Sequence, residues 1–570
     1  MLNKRMKNLN YISLRLKRNL GIKLLALIDL SIPVLYLGIL IKIMIVNYSN
    51  IFYWDEWDSR AMVNPKLGKL SLGTLWQQHN EHRIVWSKIL SFLDFQFFHG
   101  NNAPLLIVGI LITIGSYSLF LLYIWRLSLI KANSARDAVT LSAMVGILIF
   151  STLQNENFLW AFQNQFFLAI FLPLISIILG VRYVKTKEKK YFIFCWTASF
   201  FSIGSIASGL LVSACLILMN VIARLNKREI LTSIGLTIVE FALYFYHYKT
   251  PNSSPVSVFL HHPLFVFRYV AHYISYPATY LINSNNLVFC ILATLLYVIT
   301  VGLSLIKIYN SKKLLTGTGL VPVIMATYIL GTAIISAGGR YKFGIAQSTA
   351  SRYTTMSLIG WSCISILIFE LFKKNDSLLY MFIPILIGVL LLPQQTKSLS
   401  IIDNQYFDRK IAAVALELNI HDESQLLNIY PDANRVLEQS KILKENRQSI
   451  FGDQIFLQAG SLMGTHFNSN VKNCLGNIDV NLPVEGQMNS HKLTGWIFNK
   501  NDKKIPKLVF SVDPNGIING FGLTGMLRPD VASAIDQRAK FSGFKLYTIS
   551  NPTAAIIGYD TAPACSLVVR

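Results

Sequence analysis

Charge is scarce in this chain. Of its 570 residues, 14% are Asp, Glu, Lys or Arg and 53% are hydrophobic, whereas a soluble protein carries about a quarter charged residues. That deficit excludes an ordinary water-soluble domain over most of the length. Acids are scarcer still, 29 against 52 Lys and Arg, so the position of each acid carries information. There are six cysteines, and Cys195, Cys215, Cys290 and Cys363 fall in apolar runs, which excludes a scaffold built on disulfides. No internal repeat or low-complexity tract stands out, which excludes a solenoid. The first apolar run, "LLALIDLSIPVLYLGILIKIMIV", lacks a small-residue cleavage site and is too long for a signal-peptide core; it reads as a retained anchor.

Long apolar runs are abundant. Runs of roughly 20 residues recur between residues 22 and 393, each enough to cross a bilayer core of about 30 Å. Counting from a cytoplasmic N-terminus gives about 11 transmembrane helices, the first over 23–46 and the last over 377–393. The basic connectors "VRYVKTKEKK", "ARLNKRE", "KIYNSKK" and "FKKND" then fall on one side together with Lys4, Arg5 and Lys7, as the positive-inside rule requires. The net charge of +23 is thus spread through short loops, and a nucleic-acid partner is not expected.

The organisation read from this pattern has four parts: a basic cytoplasmic N-terminus at 1–22, a transmembrane domain at 23–393, a helical extracytoplasmic region at 394–475 and a β-rich domain at 476–570. The last two make up an extracytoplasmic α+β domain containing a β-sandwich or barrel-like part. In it "NKNDKK" and "DPNG" read as turns between strands. Cys474 and Cys565 are the two cysteines of this hydrophilic region. Outside the cytoplasm they could form one disulfide, two separate buried thiols being the alternative.

The loops assigned to the outer face hold the chemistry-bearing residues. "NIFYWDEWDSR" places Asp55, Glu56 and Asp58 among aromatics, Trp57 included. Next, "TLWQQHNEHRIVW" sets Trp76, His79, Arg83 and Trp86 on one face if the segment is helical. With Glu81 and His82 beside them, that face suits either a groove for a polar, sugar-like ligand or an amphipathic helix at the headgroup level. His-x-x-His alone is a weak zinc signal; Asp55 or Glu56 coordinating Mg²⁺ or Mn²⁺ is the better metal reading. "LQNENFLWAFQNQFF" offers Glu156, Trp160, Gln163 and Asn164, amides and aromatic faces that suit sugar hydroxyls or cap helix ends. "GSIASG" brings small residues that either admit a ligand or pack helices. "FLHHPLFVFRYVAHY", with His262, reads as an interfacial helix. Arg340, Lys342 and Arg352 in "AGGRYKFGIAQSTASRY" run against the positive-inside bias, and a lipid phosphate is the anion that would pair with them.

An acidic pair in the first outer loop, followed by "HNEHR", "NFLWAFQNQFF" and "GR…FG…SRY", resembles the integral-membrane glycosyltransferases of the GT-C fold, in particular a bacterial subgroup that modifies surface polysaccharides. The resemblance covers residues 22–393. It implies a bacterial cytoplasmic (inner) membrane location, a polyprenyl-phosphate sugar donor and a glycan or glycolipid acceptor. By position, Asp55 would be the general base with Glu56 as its partner or replacement. Arg352, Arg340 and Lys342 would hold the donor phosphate, and the anomeric centre would invert. Trp57, His79, Glu81, His82, Arg83, Glu156, Trp160, Gln163, Asn164 and His262 are the substrate-binding candidates. The "HNEH" histidines fall outside the shared pattern, so the base stays open between Asp55 and Glu56. Two rival readings are a lipid-linked sugar transporter or flippase and a polysaccharide polymerase or ligase. Mid-span charges are rare, Asp29 and Glu240 being the main ones, and this favours an enzyme over a transporter.

Overall fold

The computed structural model describes residues 2–68, 70–130, 135–250, 255–284, 286–310, 319–372, 379–400, 404–467, 471–561 and 564–569. Parts of the basic connectors "KIYNSKK" and "FKKND" lie outside these residues. The chain is largely helical with a C-terminal curled sheet, and it divides into two compact units.

The first unit comprises Met1–Ile45, Leu75–Ser87 and Leu106–Ser400. Among the described residues, eight helices are long and apolar enough to cross a membrane: Gly21–Val46, Ala103–Arg126, Ala135–Leu159, Ala161–Thr186, Leu287–Asn310, Leu320–Gly339, Ser351–Phe372 and Phe382–Leu399. Eight rather than about 11 is a consequence of length and charge. The Lys189–Ser202 and Leu211–Ile222 helices have 14 and 12 residues, a rise of about 21 and 18 Å against a hydrocarbon core of about 30 Å. The Lys227–Phe245 helix has 19 residues but includes Lys227, Arg228, Glu229 and Glu240. A further helix, Pro263–Leu281, follows the short Pro255–His261 helix.

Burial separates the helices by role. Leu320–Gly339 is mostly buried, with Val323, Ile324, Met325, Ala326, Tyr328 and Ile329 inaccessible and Ile334 and Ile335 exposed. It is the centre of the core that also takes Tyr269, Tyr273, Tyr297, Met356 and Ile364. On Leu287–Asn310 the other pattern holds: Cys290, Tyr297, Val301 and Ile308 are buried while Val288, Leu292, Leu295, Ile299, Leu303 and Ile306 are exposed. Spacings of three and four put the exposed set on one apolar stripe. Such a stripe is unfavourable in water and stable against lipid chains.

The second unit comprises Val46–Thr74, Lys88–Leu105 and Ile401–Arg570. Much of the first outer loop of the sequence therefore packs with the C-terminal region: Ile51, Phe52, Trp57 and Phe95 share one core with Ile411–Leu416, Phe521 and Tyr547. Local sequence could not reveal this, because the packing partners lie more than 300 residues apart. The strands are β1 (Lys472–Asn473), β2 (Leu475–Val484), β3 (Gln487–Phe498), β4 (Leu508–Val512), β5 (Ile518–Met526), β6 (Gly543–Thr548), β7 (Ala555–Gly558) and β8 (Cys565–Val568). They form one sheet in the order β1-β8-β7-β4-β5-β6-β3-β2, antiparallel except for β1 with β8. "DPNG" is the turn of the β4–β5 hairpin, with Gly516 at φ 80°, a conformation that favours glycine. "NKNDKK" is also a turn, closed by Asn499 and Lys504, but it joins β3 to β4, which are not neighbours in the sheet. Cys474 and Cys565 are disulfide-bonded, Cα–Cα 5.1 Å. Helix and sheet are tied by polar contacts: Lys492 Nζ and the Tyr547 hydroxyl donate to Asp422 at 2.8 and 2.6 Å, and Lys545 donates to Asp408 at 2.5 Å.

Candidate functional site

The first unit contains a cavity of about 600 Å³, within the range of small-molecule sites. Its walls are apolar and aromatic, Phe166, Leu211, Phe241, Phe245, Ile335 and Met356 among them. Among the described residues lining it, Glu81 is the one carboxylate and Arg340 the one fixed cation, with His82 beside them. Glu81 and His82 come from one loop and Arg340 from another, 259 residues from Glu81, and the fold brings them together.

The segment before the Val85–Phe98 helix explains how. Trp76, His79, Arg83 and Trp86 do not share one helix. A short helix ends at Trp76, and His79 and His82 then exchange backbone hydrogen bonds at 2.8 and 2.9 Å. That tight turn puts Asn80 at φ 50°, which asparagine tolerates better than most residues. It projects Glu81 and His82 into the cavity wall and sends Arg83 the other way. Arg83 is buried and donates Nε to the Tyr244 carbonyl at 2.6 Å, and its two terminal nitrogens to the carbonyls of Trp76 and Tyr246. The carbonyls of Tyr244 and Tyr246 stand at the C-terminus of the Lys227–Phe245 helix, where orphan carbonyls and the helix dipole favour a cation. In return the Tyr244 and Tyr248 hydroxyls donate to the Glu81 carbonyl at 2.9 and 3.3 Å. Arg83 thus clamps the turn in place.

Glu81 Oε1 meets both Arg340 and His82 Nε2, the latter at 3.4 Å. The Ala207 N–H donates to His82 Nδ1 at 3.3 Å; with Nδ1 accepting, the neutral ring carries its proton on Nε2, towards Glu81. Burial pushes the His82 pKa down to about 4, the charges of Arg340 and His79 act in the same sense, and the Glu81 carboxylate opposes them. Burial alone would raise the Glu81 carboxyl, but His82 and Arg340 hold it below the usual carboxylate range. Glu81, Arg340 and His82 side chains keep 22%, 21% and 20% exposure, so a ligand in the cavity can reach all three. "GSIASG" adjoins His82: Ala207 and Ser208 line the cavity, and Gly209 allows a close approach, since a Cβ there would lie 2.0 Å from the Ser202 carbonyl oxygen.

Arg352 pairs with Glu156 at 2.7 Å, and its neighbour Tyr353 lines the cavity. Asn157 fixes this corner by donating to the Arg352 carbonyl at 2.9 Å and to Thr355 at 2.6 Å. Trp160 is buried against Phe162, which in turn meets the His79 ring edge at 5.4 Å. Gln163 and Asn164 are buried at the start of the Asn164–Thr186 helix, Asn164 donating to the Ala161 carbonyl at 3.1 Å. His262 stacks on Tyr341 at 4.4 Å, and Lys342 is exposed. Sequence reasoning passed over Tyr244, Tyr248, Tyr273, Tyr353, Thr332 and Ser336, all cavity-lining. Tyrosines, and a threonine and a serine within the Leu320–Gly339 helix, carry no pattern that separates a cavity wall from a core.

The acidic loop belongs to the second unit, considered by itself. Asp55 begins the Asp55–Ala61 helix and is half-buried. Glu56 is buried and accepts from the Tyr53 N–H at 3.1 Å, with Arg60 3.8 Å away. Arg60 is inaccessible, pairs with Asp94, and lies over the Phe52 and Phe95 rings at 4.4 and 4.7 Å. Trp57 is part of the same core. Burial raises the Glu56 pKa to about 7, although Arg60 opposes it. Asp58 pairs with Arg435 and accepts from the Tyr430 hydroxyl at 2.8 Å. Among the described residues no three His, Cys, Asp or Glu side chains gather as a metal site. Glu56 is turned to Arg60 and the Tyr53 N–H.

No protein-family model and no curated protein sequence matches the chain.

Proposed function

We infer that the protein is a membrane glycosyltransferase of GT-C type that takes a sugar from a polyprenyl-phosphate donor and passes it, with inversion, to a glycan or glycolipid acceptor on the outer face of a bacterial cytoplasmic membrane. One observation carries the reading: the cavity of about 600 Å³ is walled by apolar and aromatic side chains and, among the described residues lining it, has one guanidinium, Arg340. That division matches an amphiphile with a hydrocarbon chain and a phosphate head. Arginine binds phosphate oxygens in a bidentate fork, and a cation fixed in a water-poor site stabilises the charge that develops as the sugar leaves. Tyr273 adds a hydroxyl with no hydrogen-bond partner among the described residues, and Ser208, Thr332 and Ser336 add further groups suited to sugar hydroxyls. The positive-inside pattern of the basic connectors in the sequence supports a cytoplasmic N-terminus.

The test uses membranes containing the protein and a radiolabelled polyprenyl-phosphate hexose. Wild type is expected to move label out of the donor lipid, and Arg340→Gln to lose at least 100-fold of that rate. Binding of the lipid and its movement across the bilayer without label transfer would replace this reading with the transporter. Transfer unaffected by Arg340→Gln would remove the cavity as the site.

A further inference from the structure

The resemblance offers Asp55 and Glu56 for the acceptor proton, and Glu56 is closed off where it stands, buried beside Arg60 and accepting from the Tyr53 N–H. The cavity of the first unit contains its own carboxylate. We propose that Glu81 is the catalytic base, engaged by Arg340 until the donor phosphate takes the guanidinium from it. The proposal rests on the reading of the cavity as a polyprenyl-phosphate sugar site.

Three features of the wall carry it. First, Glu81 and the ligand phosphate are anions directed at one guanidinium, since Arg340 is the fixed cation among the described lining residues and Glu81 is its ion-pair partner. A phosphate offers more oxygens in the geometry a guanidinium prefers, so its arrival displaces the carboxylate. Second, release changes the chemistry of Glu81. Beside Arg340 it is a weak base; once the guanidinium has turned to phosphate, the partly buried carboxylate loses that counter-charge and its proton affinity rises. Third, the released group stays in place. Its backbone carbonyl is held by the Tyr244 and Tyr248 hydroxyls, and His82 Nε2 stands 3.4 Å from Oε1 with its proton directed there because Nδ1 accepts from Ala207. His82 is a positioning residue that holds the carboxylate after Arg340 has left it.

The step balances without any further reagent. The acceptor hydroxyl gives its proton to the Glu81 carboxylate while its oxygen forms a bond to the anomeric carbon of the sugar. The bond from that carbon to the phosphate oxygen breaks, and its electron pair leaves with the lipid phosphate, which stays on Arg340. Donor binding and base activation become one event, so water is not activated before the donor has arrived.

The experiment separates binding from transfer. Wild type, Glu81→Gln, Glu81→Asp and Arg340→Gln are reconstituted in nanodiscs. Affinity is measured for unglycosylated polyprenyl phosphate, and transfer is measured in membranes with the radiolabelled polyprenyl-phosphate hexose. Glu81→Gln removes the internal competitor for Arg340, and is expected to bind polyprenyl phosphate about tenfold more tightly while transfer falls ~10²–10⁴-fold, the usual contribution of a general base. Glu81→Asp keeps the charge and recovers part of the transfer; Arg340→Gln loses both. Opposite signs for binding and transfer in Glu81→Gln are not produced by a purely structural residue, whose loss lowers both. Transfer by Glu81→Gln at the wild-type rate, a parallel fall of both quantities in that variant, or failure of Glu81→Asp to recover any transfer overturns the proposal. If wild type itself neither binds polyprenyl phosphate nor transfers hexose, the reading of the cavity fails and Glu81 loses this role with it.

Discussion

Arg83 and Tyr244 secure each other's segments reciprocally: the Arg83 guanidinium donates to the Tyr244 carbonyl at 2.6 Å, and the Tyr244 hydroxyl donates to the carbonyl of Glu81, two residues before Arg83, at 2.9 Å. Between them they fix the turn that presents Glu81 and His82 to the cavity. The arginine, a candidate ligand residue by sequence, spends its donors on backbone carbonyls.

Removing that clamp has a defined cost. Arg83→Lys keeps the charge but cannot reach three carbonyls from one planar fork, and hydrogen bonds to a charged group contribute about 1.5–3 kcal/mol each. Thermal unfolding in detergent is expected to show a clear destabilisation of the lysine variant, with Arg83→Ala lower still. A melting temperature unchanged in Arg83→Lys would mean that the clamp carries no stability.

The acidic loop supplies a pH prediction. Burial, opposed by Arg60, raises Glu56 from 4.5 to about 7, so the folded protein binds a proton there that the unfolded chain has released. The contribution to stability is therefore complete below pH 4.5 and is lost as pH rises through 7. Glu56→Gln imitates the protonated form permanently. Its melting temperature is expected to equal that of wild type near pH 5 and to exceed it at pH 8. An offset of the same size at both pH values would refute the assignment.

These residues also mark what could and could not be read in advance. The apolar runs gave the long helices directly, because a stretch of twenty apolar residues has few other uses. Three shorter or more charged segments, Lys189–Ser202, Leu211–Ile222 and Lys227–Phe245, look alike in composition and differ in length and in the charges they carry. Glu81, His82 and Arg340 stood out as polar residues at the ends of apolar runs, and the fold gathers them. Nothing local indicated that the turn at Asn80 would break the helical face of Trp76, His79, Arg83 and Trp86. Nor could it show that Phe52 and Trp57 would join a core with Ile411–Leu416. Turn conformation and packing between distant segments are decided by tertiary contacts, which no short window contains.

The disulfide gives a third expectation. Cys474 and Cys565 are 91 residues apart in sequence, and closing a loop of that size restricts the unfolded chain by about 4.5 kcal/mol in the chain-entropy account. The paired substitution Cys474→Ser with Cys565→Ser should lower the unfolding midpoint of the second unit and abolish its dependence on reductant. The four remaining cysteines are buried and should resist alkylation in the folded protein. Equal midpoints with and without reductant in wild type would show that the bond contributes no stability.

The orientation of the first unit can be tested at two of its exposed residues. Glu188 lies in the basic connector "VRYVKTKEKK", where its side chain is 45% exposed; Lys342 follows the Leu320–Gly339 helix and is exposed. If the basic connectors face the cytoplasm, Lys342→Cys will react with a membrane-impermeant maleimide in cells whose outer barrier has been opened, and Glu188→Cys only after the cytoplasmic membrane is permeabilised. Both are measured in a background where the buried cysteines are replaced by serine or alanine. The positive-inside bias acts through short loops such as these, so the opposite labelling pattern would invert the topology. It would also move the Arg340 end of the cavity to the cytoplasmic side, where an outer-face acceptor could not reach it.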